Sequence, residues 1–142
     1  MPIWKRIPDI AALHARQPGS VNGLLGIRIT EVGEDVLRGE MPVDERHIQP
    51  FGILHGGVSV VLAETLGSIA SHLCCEEGQG AVGLEVNANH LLPVAKGDLV
   101  RGECRPVRIG RHIHVWSIEL RRASDGRLSC VSRLTTAIID RR

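Results

Sequence analysis

The sequence is poor in aromatic residues: two tryptophans, one phenylalanine and no tyrosine. Trp4, Phe51 and Trp116 are far apart in the chain, which argues against nucleic-acid binding on stacked aromatic platforms. An excess of charge is lacking too. Seventeen basic residues against 16 acidic leave a net charge of +1, which fits neither a nucleic-acid scaffold nor a polybasic membrane binder. No C-x-x-C pair joins Cys74, Cys75, Cys104 and Cys130. Without framework spacing, a reduced, cytoplasmic chain is expected. The N-terminal segment, Met1-Pro2-Ile3-Trp4-Lys5-Arg6, carries no apolar run of the signal-peptide kind. The longest apolar stretch, residues 58–75, is interrupted by Glu64, Ser68 and His72. A membrane span would not usually carry these, so the stretch reads as a buried helix of a soluble protein. Repeats and low-complexity tracts are also missing.

What is present suits one domain over residues 1–142. The chain is 43% apolar, enough for a single core, whereas two halves of about 70 residues would be marginal. Residues 9–15 read as a short helix with Asp9 as N-cap, and Pro18-Gly19-Ser20 breaks the chain. Residues 24–32 and 35–43 read as strands around Gly33-Glu34, the second alternating with a period of two. After an irregular loop, residues 44–54, one long helical pattern runs from His55-Gly56-Gly57 to about Glu76. It is apolar nearly all round, so neighbours should bury it, and Gly78-Gln79-Gly80 ends it. Four strands follow. Val82, Leu84, Val86 and Ala88 alternate with Gly83, Glu85, Asn87 and Asn89; residues 98–108, 111–123 and 127–139 come next, the last two joined by an Asp125-Gly126 hairpin turn. The expected class is α+β: one antiparallel sheet of about six strands wrapped around a long central helix. No helices separate the last four strands, which disfavours a parallel sheet.

Two features of that helix carry chemistry. The adjacent glycines Gly56 and Gly57 at its start leave backbone N–H groups uncovered, and the helix dipole adds positive potential, which suits an anion or a developing oxyanion. Close packing alone would also account for them. Glu64 is a carboxylate among Val60, Val61, Leu62, Ala63 and Leu66, costly to bury without a partner. No Lys or Arg lies between Arg46 and Lys96, so no local salt bridge holds it. Either it serves a functional pocket or it marks the one wet edge of the helix. Ser68, at i+4, and His72 one turn further extend a polar stripe along its face. Gly56 and Glu64 stand eight residues apart, roughly 12 Å along a helix. A carbonyl about 3 Å from the Gly56 N–H is beyond easy reach of Glu64 on the same helix. If the two groups cooperate, a second helix running antiparallel must bring them together, which implies a symmetric dimer with composite sites.

Several segments resemble a known family. They are Pro42-Val43-Asp44, Gln49-Pro50-Phe51-Gly52, His55-Gly56-Gly57 with Ala63-Glu64, residues 82–90 and residues 132–138. With Ile3-Trp4-Lys5-Arg6, they span nearly the whole chain. The resemblance is to hotdog-fold acyl-CoA thioesterases of the 4-hydroxybenzoyl-CoA type, closest to the branch of 1,4-dihydroxy-2-naphthoyl-CoA hydrolase and the enterobactin-pathway proofreading thioesterase. It implies the hotdog fold and hydrolysis of acyl-CoA thioesters with aromatic acyl groups, aryl-CoA or 1,4-dihydroxy-2-naphthoyl-CoA-like, without cofactor or metal. It also implies a homodimer as minimal active unit, assembled as a homotetramer. By that resemblance Glu64 is the catalytic carboxylate, nucleophile or general base. Gly56 donates to the thioester oxygen, Gln49 helps hold that carbonyl, His55 lies near the leaving group and Ser68 orients water. A thioester carbonyl is already electrophilic, so one carboxylate and a polarising donor suffice.

For the CoA arm, the Arg108-Ile109-Gly110-Arg111-His112 turn sets flexible backbone between cations, which suits phosphate; a plain hairpin with surface arginines is the alternative. Asn89 and His90 end a strand, where they can present polar groups to the pantetheine or the nucleotide. The resemblance places Gly83, His90, Leu91, Leu92, Pro93 and Val107 to His112 along the CoA channel. The branch often has an arginine after Asn-His, where this chain has Leu91-Leu92, so nucleotide grip would fall to Lys96 or Arg111. His112 and His114 would share one strand face, but no third ligand is evident for a metal. Cys74 and Cys75, within the apolar helix, are expected to pack rather than react. Three other activities compete with acyl-CoA hydrolysis: proofreading of carrier-protein thioesters, acyl-CoA sensing without turnover, and hydration of the acyl chain.

Overall fold

The computed structural model describes residues 1–141. Two short helices open the chain. In α1 (Ile10–Ala15) the Asp9 side chain accepts from the Ala12 N–H at 3.2 Å, as a cap should. In α2 (Val21–Leu24) the Ser20 hydroxyl accepts from the Gly23 N–H. This turn corrects the sequence expectation: β1 (Arg28–Val32) starts four residues later than 24. Ser20 supplies a cap just after the Pro18-Gly19 break, and Gly26, at φ +70°, then turns the chain into the strand.

The remaining elements are β2 (Leu37–Pro42), α3 (Gly56–Leu73), β3 (Gln79–His90), β4 (Leu99–Ile109), β5 (Ile113–Arg122) and β6 (Leu128–Asp140). The six strands form one sheet in the order β1-β2-β4-β5-β6-β3, every neighbouring pair antiparallel. The sheet wraps α3, giving the α+β hotdog architecture. Leu62, Ala63, Leu66 and Ala70 of α3 are fully buried against Leu37, Met41, Val100, Cys104, Trp116, Ile118, Leu120 and Leu134 of the sheet. Burying a large apolar side chain contributes about 1.5–3 kcal/mol. Close approach has a sequence basis: a Cβ on Gly39 or Gly102 would lie 2.7 or 2.5 Å from the Leu66 methyls. Among the described residues no helix is long and apolar enough to cross a membrane.

The end of α3 is set from a distance. The helix stops at Leu73 rather than near Glu76 because the Leu73 carbonyl accepts from the backbone N–H groups of Lys5 and Arg6, at 2.9 and 3.0 Å. The Arg6 guanidinium donates to the carbonyls of Cys75, Glu76 and Gln79. Trp4 anchors this segment, stacked on buried Trp116 with ring centroids 6.4 Å apart. Gly78, at φ +81°, then turns the chain into β3, so Gln79 and Gly80 belong to a strand rather than to a helix stop.

β3 is a sheet edge, and a bulge falls between Gly83 and Glu85. The extra residue, Leu84, breaks the expected alternation: Val82 and Leu84 are exposed, while Val86 and Ala88 pack on the core. A bulge shifts the side-chain phase by one, and here it turns Gly83 toward α3.

Candidate active site

The first turn of α3 is built around one free donor. His55 is the N-cap, and its Nδ1 accepts from the Gly57 N–H at 2.9 Å, which puts the ring proton on Nε2. The N–H groups of Val58 and Ser59 donate to the His55 carbonyl. Among the described residues, only the Gly56 N–H of this turn has no partner. The His90 ring comes close to it: an added Cβ would lie 2.9 Å from His90 Nε2. The preceding loop folds into a turn, with the Gly52 N–H donating to the Gln49 carbonyl at 2.9 Å. Within it, the Phe51 N–H donates to Gln49 Oε1, so the Gln49 NH2 is the end left to donate. Beneath it, fully buried His47 donates from Nε2 to the Leu25 carbonyl at 2.7 Å, and its own carbonyl accepts from the His55 N–H. Gln49, Gly56 and His90 to Pro93 line one cleft of about 520 Å3, together with Ser59 and Ser129.

Glu64 lies elsewhere. It is half-buried, on the wet edge of α3, and lines a separate cleft of about 320 Å3 with Asn22, Thr65 and Ser68. The two clefts have no lining residue in common. Gly83 makes room for the carboxylate: a Cβ there would lie 2.6 Å from Glu64 Oε2. The bulge at Leu84 thus delivers a residue without a side chain to the one place where the carboxylate stands. Among the described residues Glu64 forms no ion pair.

The structure therefore groups the sequence candidates into three places. Gln49, Gly56, His90, Leu91, Leu92 and Pro93 come together, with His55 at their edge. Glu64, Ser68 and Gly83 form the second group. Val107 and Arg108 are exposed at the end of β4 and His112 in the turn that follows, while Ile109, Gly110 and Arg111 line a third cleft with Lys5, Gln79 and His114. Asn89 is exposed on β3. Lys96 pairs with Glu45 at 3.8 Å. The shared strand face of His112 and His114 is corrected: His112 lies in the turn before β5, exposed, whereas His114 is buried. His114 Nδ1 meets Ser71 Oγ at 2.6 Å, and Ser71 meets Thr136 Oγ1 at 2.7 Å. Burial holds the His114 pKa below the ordinary histidine value. Among the described residues no three metal-ligating side chains converge. Cys74 and Cys75 are buried, and burial pushes the Cys74 thiol up to about 11, the wrong direction for a nucleophile.

Sequence reasoning missed Ser59, Ser129, Asn22 and Thr65. Ser59, three residues after Gly56, sits at a helical spacing that could have flagged it, whereas Thr65, next to Glu64 in the chain, offered no such signal. Asn22 could not have been found, because it reaches the site from α2, where its Oδ1 accepts from Thr65 Oγ1 at 3.1 Å.

A free donor at the head of the central helix and a carboxylate on its flank are groups that suit thioester hydrolysis. The chain belongs to the thioesterase superfamily, whose family model matches residues 51–129. Within it, the chain is related to the 1,4-dihydroxy-2-naphthoyl-CoA hydrolase of Escherichia coli, at 52% identity over 96% of this chain and 99% of that one. Its fold also matches a thioesterase from Haemophilus influenzae, with TM-score 0.93 and 48% identity over 97% of this chain and 95% of that one. A mutant thioesterase from Pseudomonas aeruginosa matches with TM-score 0.94 and 47% identity, over 97% of this chain and 99% of that one. The protein is a hydrolase of acyl-CoA-like thioesters.

Proposed function

We propose that this enzyme, as a single domain over residues 1–142, hydrolyses aryl acyl-CoA thioesters in composite sites between two copies of the chain. The observation that carries this reading is the spacing along α3. The free Gly56 N–H and the Glu64 carboxylate are eight residues apart, roughly 12 Å, and line different clefts. A partner helix running antiparallel brings the Glu64 of one copy to the Gly56 and Gln49 of the other. A bicyclic aryl substrate is supported by the name of the Escherichia coli relative.

The thioester oxygen accepts from the Gly56 N–H and the Gln49 NH2, donors that matter most once the oxygen becomes an anion. Glu64 takes the proton from an attacking water held by Ser68, or attacks the carbonyl itself and is released by water. The C–S bond then breaks. The CoA sulfur leaves as a thiolate beside His55, whose Nε2 proton faces it, and free acid and thiol result. The Arg108–His112 turn grips the phosphates, with Asn89 and the backbone from His90 to Pro93 along the pantetheine arm. The homodimer is the working unit, and pairs of dimers form a homotetramer.

A thiol-release screen over aryl-CoA, aliphatic-CoA and carrier-bound thioesters tests the reading. It expects the highest kcat/KM on an aryl-CoA ester. A clear preference for the carrier-bound form would instead make the protein a proofreading hydrolase.

A further inference from the structure

One turn past Ser68, a pocket of about 220 Å3 opens between α1 and α3, with Arg16, Gln17, Asn22, His72 and Arg141 among its lining residues. It shares Asn22, Ser68 and Ile69 with the Glu64 cleft, so the two are continuous. Its polar groups are mostly donors, Ser68 Oγ and Gln17 Oε1 being the side-chain acceptors. Gln17 Nε2 is buried without a hydrogen-bond partner, a costly state for an amide. Asn22 Oδ1 is occupied by Thr65, which leaves its NH2. His72 Nε2 faces Arg6 Nη1 at 2.6 Å; a guanidinium can only donate, so the ring proton is on Nδ1. Burial and the charges of Arg6, Arg16 and Arg141 hold the His72 pKa below the ordinary value. Among the described residues Arg16 and Arg141 have no carboxylate partner. The acid on the adjoining rim, Asp9, caps α1.

A donor-rich pocket whose two guanidinium groups have no carboxylate partner among the described residues is complementary to an anion. We infer that it is the far end of the acyl site and takes a carboxylate, so that the preferred acyl group is that of an aryl diacid, with an ionised carboxyl remote from the thioester. The inference rests on the proposed placement of the reacting carbonyl at Glu64. Glu64 and His72 are eight residues apart on α3, roughly 12 Å along the axis. That leaves room for a ring between the carbonyl and the anion.

The test compares the mono-CoA thioester of benzene-1,4-dicarboxylate with benzoyl-CoA. The native enzyme should favour the carboxylated ester in kcat/KM by about 10-fold or more, the scale of a charge-assisted pair. In Arg16→Gln/Arg141→Gln that ratio should collapse toward one. Arg127→Gln, which removes an exposed charge elsewhere, should leave it unchanged. No preference in the native enzyme, or a preference that survives the double substitution, overturns the inference. Calorimetry with the free acids separates this from the activity: benzene-1,4-dicarboxylate should bind more tightly than benzoate, and the double substitution should remove the difference. If neither ester is hydrolysed but that binding difference appears, the pocket stands and the proposed reaction falls. Equal binding of the two acids removes the pocket.

Discussion

The first turn of α3 and its middle are built from opposite materials. At the head of the helix, His55 caps the Gly57 N–H and Gln49 Oε1 takes the Phe51 N–H, which leaves the Gly56 N–H and the Gln49 NH2 as donors without a partner among the described residues. Half-way along, the local feature is an acceptor, Glu64, with a bare Gly83 opposite it. Thioester hydrolysis needs both, a donor for the oxygen and a carboxylate for the water. One copy of the chain holds them in clefts that share no residue. On the proposed composite site, one helix displays both halves of an active site without using them on one substrate, and a second copy of the chain is expected to supply the missing half.

The sharpest way to break this comparison is at the acceptor. Glu64→Gln keeps size and removes the base or nucleophile, so kcat should fall about 10²-fold or more with the far-UV spectrum and melting temperature preserved. Near-native kcat would remove Glu64 from the chemistry. At the donor end, Gln49→Ala should cost about 10-fold to 10²-fold in kcat, less than the acceptor because the Gly56 N–H remains. A change in KM alone would make Gln49 a ground-state contact. Smaller again is the remote end of the substrate: Arg108→Gln/Arg111→Gln should weaken CoA esters several-fold more than pantetheine esters, because only the former carry phosphates. Equal effects would make the turn structural.

The smallest expected effect lies at the far end of α3. The buried His114, held by Ser71, has a lowered pKa, as does His72. Below the ordinary histidine value of about 6.5 the unfolded chain takes up protons that the folded one refuses. Their contribution to stability is therefore complete above that pH and lost as pH falls below it toward the folded values. The slope is bounded at about 1.4 kcal/mol per pH unit for each histidine. Urea unfolding at pH 7 and pH 5.5 should show the loss, and His114→Phe should flatten it; a pH-independent midpoint would contradict the assignment.

How much of this could be read from the chain depended on how local the cause was. The Asp9 cap, the Asp125-Gly126 hairpin and the long apolar helix depend on neighbouring residues, and each appears where expected. The end of α3 depends on Lys5 and Arg6, nearly seventy residues away, and no helix-stop signal contains that. The phase of β3 depends on a bulge at Leu84 that the alternation concealed. In the site, the Gly56 donor and the isolation of Glu64 followed from residue types and spacing. The roles of Gln49 and His90 came from resemblance, and the burial of His114 from neither. Asn22 and the donor-rich pocket were invisible because α1, α2 and α3 meet there only after folding.

The composite site is tested most directly by mixing two damaged proteins. Glu64→Ala and Gln49→Ala are each expected to be poor alone. In a heterodimer of the two, one site collects both defects and the other neither. Random reassortment makes about half the dimers mixed, with half their sites intact, so co-refolding equal amounts should restore about one quarter of native activity, mixed dimers being verified by mass spectrometry. Activity that stays at the average of the two parents, with mixed dimers present, would put Glu64 and Gln49 in the same subunit's site and contradict the account.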